Sequence, residues 1–445
     1  MKIALKSHIL ELNRIQKTFA RIQPYLTEGS WIVFGQCATV AGMLLLVRVL
    51  TEYMEPAEYG KLALGLTVAA LINQVVMSGV TPGVSRFYSI AAEHLDLEGY
   101  FRGIRKLLIF ATLIVGAVGL LMVAGLWYCG YPQTLDLMIA SLVLAVFQGY
   151  NSSFCSVQTA ARKRALVAFL NGTESWLRVL SVFAVARFIG ISSTAIACGY
   201  VGTALLMTVT HLTFLRQNIL ASLSPNPKPS TWASQMAAYS LPFSCWGVFS
   251  WGQQVSDRWA LEIFGATGEV GQYVILYQLG YTPIAIITGL ATTFFGPILF
   301  QRSGDASDRS RNEEVHRLGW QLAYFALAIT FISFAATMIF HGAFFSLLVA
   351  PEYRSVSYRL PWVVMAGGLN ATSEMLSLKL MSEMKSTSLV TVKIGTSIVG
   401  IVLNLSGAAL AGIDGVVASL MFFSILNLIW MSMLSRHIVH HKLAV

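Results

Sequence analysis

The chain has 445 residues, 56% of them hydrophobic and 11% charged, with 30 Lys and Arg against 21 Asp and Glu. A soluble domain carries roughly 25% charged residues, so this composition excludes an ordinary globular protein and points to a chain solvated by lipid. The formal charge of +9 is spread over short loops between apolar segments, which speaks for membrane orientation and against nucleic acid as a partner.

A helix crossing hydrocarbon needs about 20 mainly apolar residues, because lipid offers no partner for a free backbone N–H or C=O. In chain order, residues 1–25 are too charged to span. Leu5, Ile9, Leu12, Ile15, Phe19 and Ile22 share one helical face and Lys6, Arg14, Lys17 and Arg21 the opposite one, which predicts a cytoplasmic amphipathic helix lying on anionic lipid. Twelve apolar segments follow, at 29–50, 62–84, 107–129, 136–159, 167–188, 194–215, 238–262, 272–299, 319–341, 360–381, 389–411 and 414–435. They divide the chain into a first lobe (26–216), a cytoplasmic linker (217–237), a second lobe (238–436) and a cytoplasmic tail (437–445). Alternate connections hold 23 of the 30 basic residues, Lys379 and Lys393 among them, which places both termini in the cytoplasm. No connection is long enough for a soluble domain.

The first segment ends in "RVLTEYMEPAEYGKLALG" (48–65), and the seventh in "DRWALEIFGATGEVGQYVILYQLG" (257–280). Setting Arg48 on Arg258 brings Glu58-Tyr59-Gly60 almost onto Glu269-Val270-Gly271. Likewise "FIGISSTAIACGYVGTAL" (188–205) is echoed by "LAGIDGVVASLMFF" (410–423). Six segments separate each pair. An even number preserves direction, so the fold class is all-α and polytopic, about twelve transmembrane helices in two pseudo-symmetric six-helix lobes.

Charges inside the segments are the candidate functional groups. An arginine in hydrocarbon costs from about 3 to above 10 kcal/mol, so it is expected to face water, a partner or a substrate. Arg48 and Arg258 are expected to face the cleft between the lobes, snorkelling to the interface being the alternative for either. Arg178 lies four residues after Glu174, at the spacing of a neutralising pair. Asp257, Glu174 and Glu374 are candidates for ion coupling, and Asp257 is alternatively a partner for an arginine of the other lobe. Lys393, near a segment end, is expected to snorkel.

Polar stripes mark the faces that meet water or each other. Ser240, Ser244, Gly247, Trp251, Gln254 and Arg258 follow one helical face of the seventh segment, and Thr67, Gln74, Ser78 and Thr81, with Asn73 beside them, follow one face of the second. Tyr273, Tyr277 and Tyr281 line the eighth, offering aromatic surfaces suited to sugar rings. A bundle seam closed by helix-to-helix hydrogen bonds is the alternative to a hydrated cavity. The five cysteines fall in segments without metal-like spacing, and His437, His440 and His441 lack supporting ligands, so no metal and no cofactor are expected. No nucleophile–base pair or nucleotide motif is present, so the chain reads as a non-enzyme.

Three stretches together resemble a known family. "LLLVRVLTEYMEPAEYGKLALGLTVAALINQVVMSGV" followed by "SRFYS", then "SLPFSCWGVFSWGQQVSDRWALEIFGATGEVGQY", then "LVAPEYRSVSYRLPWVVMAGGL" resemble, in order and spacing, the polysaccharide flippases (Wzx-type) of the multidrug/oligosaccharidyl-lipid/polysaccharide exporter superfamily. The resemblance implies a V-shaped pair of lobes that alternates between inward-open and outward-open states in the bacterial inner membrane. The implied cargo is an undecaprenyl-pyrophosphate-linked oligosaccharide for O-antigen or exopolysaccharide synthesis. It also implies driving by H+ or Na+, or by downstream consumption, and a polysaccharide polymerase and chain-length machinery as partners. Arg48 and Arg258 would be the counter-charges for the pyrophosphate. Trp251, Gln254, Gln74, Asn73, Tyr277, Tyr281 and Arg178 would line the cavity. A drug/cation antiporter of the same superfamily is the alternative, and a polymerase or ligase a more distant one.

Overall fold

The computed structural model describes residues 30–31, 33–77, 80–130, 132–218, 231–303, 309–382 and 386–441. The amphipathic helix expected over 1–25, most of the 217–237 linker, Ser78 and the last residues of the tail lie outside them. Among the described residues the chain is helical, without a strand.

Each apolar segment becomes one rod. The first lobe holds α1 (Val33–Tyr53), α2 (Pro56–Glu93), α3 (Leu97–Tyr128), α4 (Leu135–Ala160), α5 (Arg164–Phe188) and α6 (Ser193–Asn218). The second holds α7 (Trp232–Phe264), α8 (267–303), α9 (Arg309–Leu348) and α10 (Leu360–Ser382). The last helical stretch, Ser386–His441, breaks at Ala411 and Gly412, where the backbone leaves the helical region, giving α11 (386–410) and α12 (413–441). The result is a polytopic membrane protein of two six-helix lobes.

Several rods run past the hydrophobic limits. The stretch around "SRFYSIAAEHLDLEGYFRGIRK" is not a 20-residue loop: α2 continues to Glu93 and α3 begins at Leu97. The reversal takes only a few residues because Leu95 adopts a positive φ of 54° and the Asp96 carboxylate accepts the Gly99 N–H at 3.1 Å, capping the new helix. The outer connection before α10 is likewise ordered, as a 3₁₀ segment at Pro351–Arg359.

The repeat seen in the sequence is visible in the turns. Gly190, between α5 and α6, has φ +98°, and Gly412, between α11 and α12, has φ +55°. These are left-handed conformations that glycine adopts without a Cβ penalty. Glu58 at the start of α2 accepts the Ser193 N–H that opens α6 at 2.9 Å, while Glu269 at the start of α8 lies against Gly412. In each lobe the glutamate that opens the second helix lies at the fifth-to-sixth turn, and in the first lobe it bonds that turn.

The lobes meet where α2 and α8 cross. A Cβ added at Gly60 would collide with the Thr267 carbonyl oxygen, and one added at Gly271 with the Pro56 carbonyl oxygen. Only hydrogen side chains let the two backbones approach this closely. Around the crossing, Tyr59 Oη donates to Gln278 Oε1 at 2.8 Å and Tyr353 Oη to the Met54 carbonyl at 2.6 Å. Trp251 and Trp259 of α7 both bond Thr67 of α2, at 2.8 and 2.9 Å. Tyr59, Leu62, Val270, Phe345 and Tyr353 are buried there, held by close packing rather than by exclusion of water.

Below the crossing both helices pass through a π turn, at Asn73–Met77 in α2 and Tyr277–Tyr281 in α8. Pro283 follows the second; it has no N–H to return to the preceding turn, so the helix widens there. From that level the arms part: the lower half of α2 packs on α4 and the start of α7, and the lower half of α8 on α10 and α9. The bundle is sealed at the end carrying the two glutamate turns; at the end carrying the basic loops the lobes touch through the start of α7, where Trp232 donates to Asp96 at 2.7 Å, and are otherwise splayed.

Two outcomes follow. In a chain whose five cysteines are replaced by alanine, Gly271→Val should wedge the crossing open, so that a cysteine at Val274 reacts with a membrane-impermeant maleimide from the glutamate-turn side. A Val274 cysteine that stays protected would contradict the glycine contact. The second concerns acid. The Lys61 ammonium and the Ser193 N–H hold the Glu58 carboxyl below its ordinary value. A depressed carboxyl contributes stability above its unfolded pKa and loses it as pH falls through the folded one. Glu58→Gln should therefore lower the melting temperature at pH 7 and narrow the gap to wild type as the buffer is taken into the acid range; a gap independent of pH would contradict it.

Candidate functional site

Three adjoining cavities lie below the crossing. The one between the lobes, about 240 Å³, has apolar walls from Met43, Leu46, Leu50, Leu62 and Val274, and two cations, Arg178 and Arg258. The first-lobe cavity, about 440 Å³, shares Arg178 and adds Glu174, His211, Asn73 and Asn171. The second-lobe cavity, about 370 Å³, is lined by Gln253, Gln254, Asp257, Tyr277, Tyr281, Asn370, Glu374, Lys393, Asn404 and Asn427 among others.

The two arginines differ in their partners. Arg178 is held by Glu174 at 2.6 Å, the i, i+4 pair expected, and lies over the Tyr200 ring at 5.7 Å. Arg258 sits over the Tyr277 ring at 5.0 Å. Its Nε is buried without a hydrogen-bond partner, and its guanidinium has no carboxylate within ion-pair distance among the described residues. A cation over an aromatic face gains about 0.5–2 kcal/mol, and the half-buried Arg258 guanidinium, open to the cavity, has room for an anion as its partner.

Arg48 is elsewhere. Met43, Leu46 and Leu50 of α1 face the interlobe cavity, and Arg48, two residues from both Leu46 and Leu50, stands about 200° around the helix from them. It pairs with Glu52 through Nη2 at 2.9 Å and is about one-third exposed, while its Nη1 is buried without a hydrogen-bond partner. The pair of cations in the cleft is Arg178 and Arg258, not Arg48 and Arg258.

Other expectations are redistributed in the same way. Asp257, buried to 4% exposure, takes no arginine partner; it accepts Tyr273 Oη at 2.7 Å and the backbone N–H of Arg258 at 2.7 Å. Lys393 does not snorkel but pairs with Glu374 at 3.2 Å across the cavity wall. Lys379 is not a loop cation: it is fully buried and donates to the Ser435 carbonyl and hydroxyl at 3.1 and 3.0 Å. The α7 stripe serves two purposes. Its lower part is a seam, Ser240 Oγ accepting the Gly83 N–H at 2.9 Å and Gly247 packing on the Gln74 backbone. Its upper part, Gln254 and Arg258, faces cavities. Trp251 locks the lobes together rather than lining a cavity, bonding Thr67, which does line the interlobe cavity, and Gln74 belongs to the same seam. Asn73, Tyr277 and Tyr281 do line cavities.

His211, Tyr200, Gln278, Asn370 and Asn427 were not singled out from sequence. The signal for Asn370 was available, since it precedes Glu374 by four residues and so shares its face.

The fold is that of the exporters whose family the sequence resembles. An inward-facing structure of a multidrug resistance MATE family transporter of the MOP superfamily aligns over 89% of this chain and 95% of its own, with TM-score 0.66 and 13% identity. An outward-facing MATE structure gives 0.59, at 13% identity, over 92% and 96%. The lipid II flippase MurJ, in an inward closed conformation, gives 0.66 at 12% identity over 91% and 86%. A MOP superfamily transporter from Pyrococcus furiosus with a binding pocket of reverse polarity gives 0.58 at 13% identity, over 92% and 96%. No family model and no curated protein matches the sequence.

The ion pair across the second-lobe cavity is testable without substrate. Glu374→Gln and Lys393→Gln should each destabilise the purified protein and the double variant by less than their sum, with a coupling on the order of 1 kcal/mol for a pair partly open to water. Additive losses in a thermal melt would show that the two charges do not meet.

Proposed function

We propose that this chain is a flippase of the MOP exporter superfamily that carries undecaprenyl-pyrophosphate-linked oligosaccharide repeat units across the bacterial inner membrane, for surface polysaccharide synthesis such as O-antigen or exopolysaccharide. The observation that carries the reading is Arg258, a guanidinium without a carboxylate partner, sharing the interlobe cavity with Arg178. A pyrophosphate supplies the missing counter-charge, and the planar donor fork of arginine engages two of its oxygens at once. The apolar walls of that cavity suit the first isoprene units, while polar cavities on both sides hydrate the sugars. The shared fold with MurJ supports a lipid-linked cargo.

With the basic loops cytoplasmic, both termini are inside and the splayed end is the cytoplasmic one, so the cleft is open to cargo made within the cell. Translocation is then rigid-body rocking: the glycine crossing opens, the lower arms close, and the head group passes without meeting hydrocarbon. No bond is made or broken, so the protein is not an enzyme. H+ or Na+ would couple through Asp257, Glu174 or Glu374. One observation favours the second reading, a drug/cation antiporter: Asp257 and Glu374 put two carboxyls in one cavity, as a cation would require.

The test is complementation of surface-polysaccharide display in a strain lacking its flippase, with protein level measured in parallel. Arg258→Ala should abolish display and Arg258→Lys restore part of it, because lysine keeps the charge and loses the fork. Arg48→Ala should leave display near wild type. Normal display by a well-expressed Arg258→Ala, with efflux of a cationic dye lost instead, would favour the antiporter.

A further inference from the structure

We infer that the saccharide of the cargo is received by the second-lobe cavity, on a shelf formed by Tyr277 and Tyr281, and that this cavity selects a neutral or amino-bearing sugar over an acidic one. The inference rests on the lipid-linked cargo argued above. Its first support is continuity. Tyr277 and Tyr281 lie nearly parallel, with ring centroids 4.6 Å apart and planes 18° from coplanar, and both line the cavity. Tyr277 also carries Arg258 over its ring at 5.0 Å. Tyr281 covers one face of Tyr277 and Arg258 the other, so a phosphate held by Arg258 sets the sugar bonded to it beside the pair, where the outer face of Tyr281 is the surface that complements the C–H face of a pyranose.

The second support is donor and acceptor chemistry. Each sugar hydroxyl both donates and accepts, and a side-chain carboxamide answers both roles. The cavity presents Gln253, Asn370, Asn404 and Asn427. Asn427 donates to Asn370 Oδ1 at 3.0 Å, which leaves the Asn370 amino group and the Asn427 carbonyl oxygen to a ligand. At about 370 Å³ the space lies within the roughly 300–1,000 Å³ range of small-molecule sites and far exceeds a single desolvated cation.

The third support is charge. Asp257 and Glu374 face one ammonium, Lys393, so acceptors for hydroxyls and amines outnumber cations, and a uronic acid would meet carboxyls. The first-lobe cavity is the poorer host. There Glu174 sits 2.6 Å from Arg178, against the phosphate. Asn151, Thr208 and the Ala204 carbonyl bond one another, His211 Nδ1 meets Gln158 Oε1 at 3.1 Å, and no aromatic pair lines the space.

The experiment is binding to the purified full-length chain in nanodiscs, with three probes: undecaprenyl pyrophosphate, the same lipid bearing one N-acetylhexosamine, and the same lipid bearing one uronic acid. Wild type should bind the hexosamine lipid about tenfold tighter than the bare pyrophosphate, the scale of one or two hydrogen bonds, and tighter than the uronic acid lipid. Asn370→Leu and Tyr281→Leu should each erase that increment while leaving affinity for the bare pyrophosphate unchanged, which also shows that the variants are folded. An increment that survives both changes, or is lost in Asn171→Leu instead, would overturn the assignment, as would preference for the uronic acid lipid. Arg258→Ala should weaken all three probes. If wild type binds none of them, the lipid-linked cargo itself is refuted and the sugar subsite with it.

Discussion

A half-buried guanidinium inside an oily bundle, with no carboxylate within ion-pair distance among the described residues, is the constraint on which the rest of this molecule turns. Arg258 is within the last two turns of α7, over the Tyr277 face. The other embedded cations of the cavities find a protein partner: Arg178 takes Glu174 and Lys393 takes Glu374, while Lys379 takes Ser435. Arg258 is left to be completed from outside, since removing an ion from water without a partner is costly and a passing anion offsets that cost.

That charge works only if its surroundings can change sides. The crossing of α2 and α8 supplies a hinge because its contacts are reciprocal: Gly60 rests on Thr267 and Gly271 on Pro56, so separating one lobe from the other breaks both together. The tyrosine and tryptophan hydrogen bonds around it are few and directional, which suits a seal that must open on each cycle. The π turns just below give each long helix a place to bend without breaking. Packed and splayed ends are thus joined through one narrow level, and the arginines lie beside it.

Much of this was legible in the residues. Twelve apolar runs, a basic bias on alternate loops and two copies of a Glu-x-Gly turn specify two parallel lobes, because backbone satisfaction in lipid leaves few other arrangements. The glycines of the crossing and of the two matching turns, Gly60, Gly271, Gly190 and Gly412, all lie in the repeated stretches. What sequence could not supply was rotation about the helix axis and partners across helices. The repeat makes Arg48 the counterpart of Arg258, yet the two side chains leave their helices in unrelated directions. Lys393 and Glu374 are on neighbouring helices, 19 residues apart, and no i, i+4 rule could join them. The stripe on α7 was correctly seen as one face, but a face can change its neighbour along its length, and this one passes from seam to cavity near Gly252.

The central claim is that the cleft carries an anionic lipid head group. Proteoliposomes containing the purified chain, loaded on one leaflet with a fluorescent undecaprenyl-pyrophosphate oligosaccharide, measure this directly when the label becomes accessible to a quencher on the other leaflet. The account predicts protein-dependent exposure of the pyrophosphate lipid, competed by unlabelled undecaprenyl pyrophosphate, and no uptake of a cationic dye by the same vesicles. Dye transport without lipid exposure would contradict it.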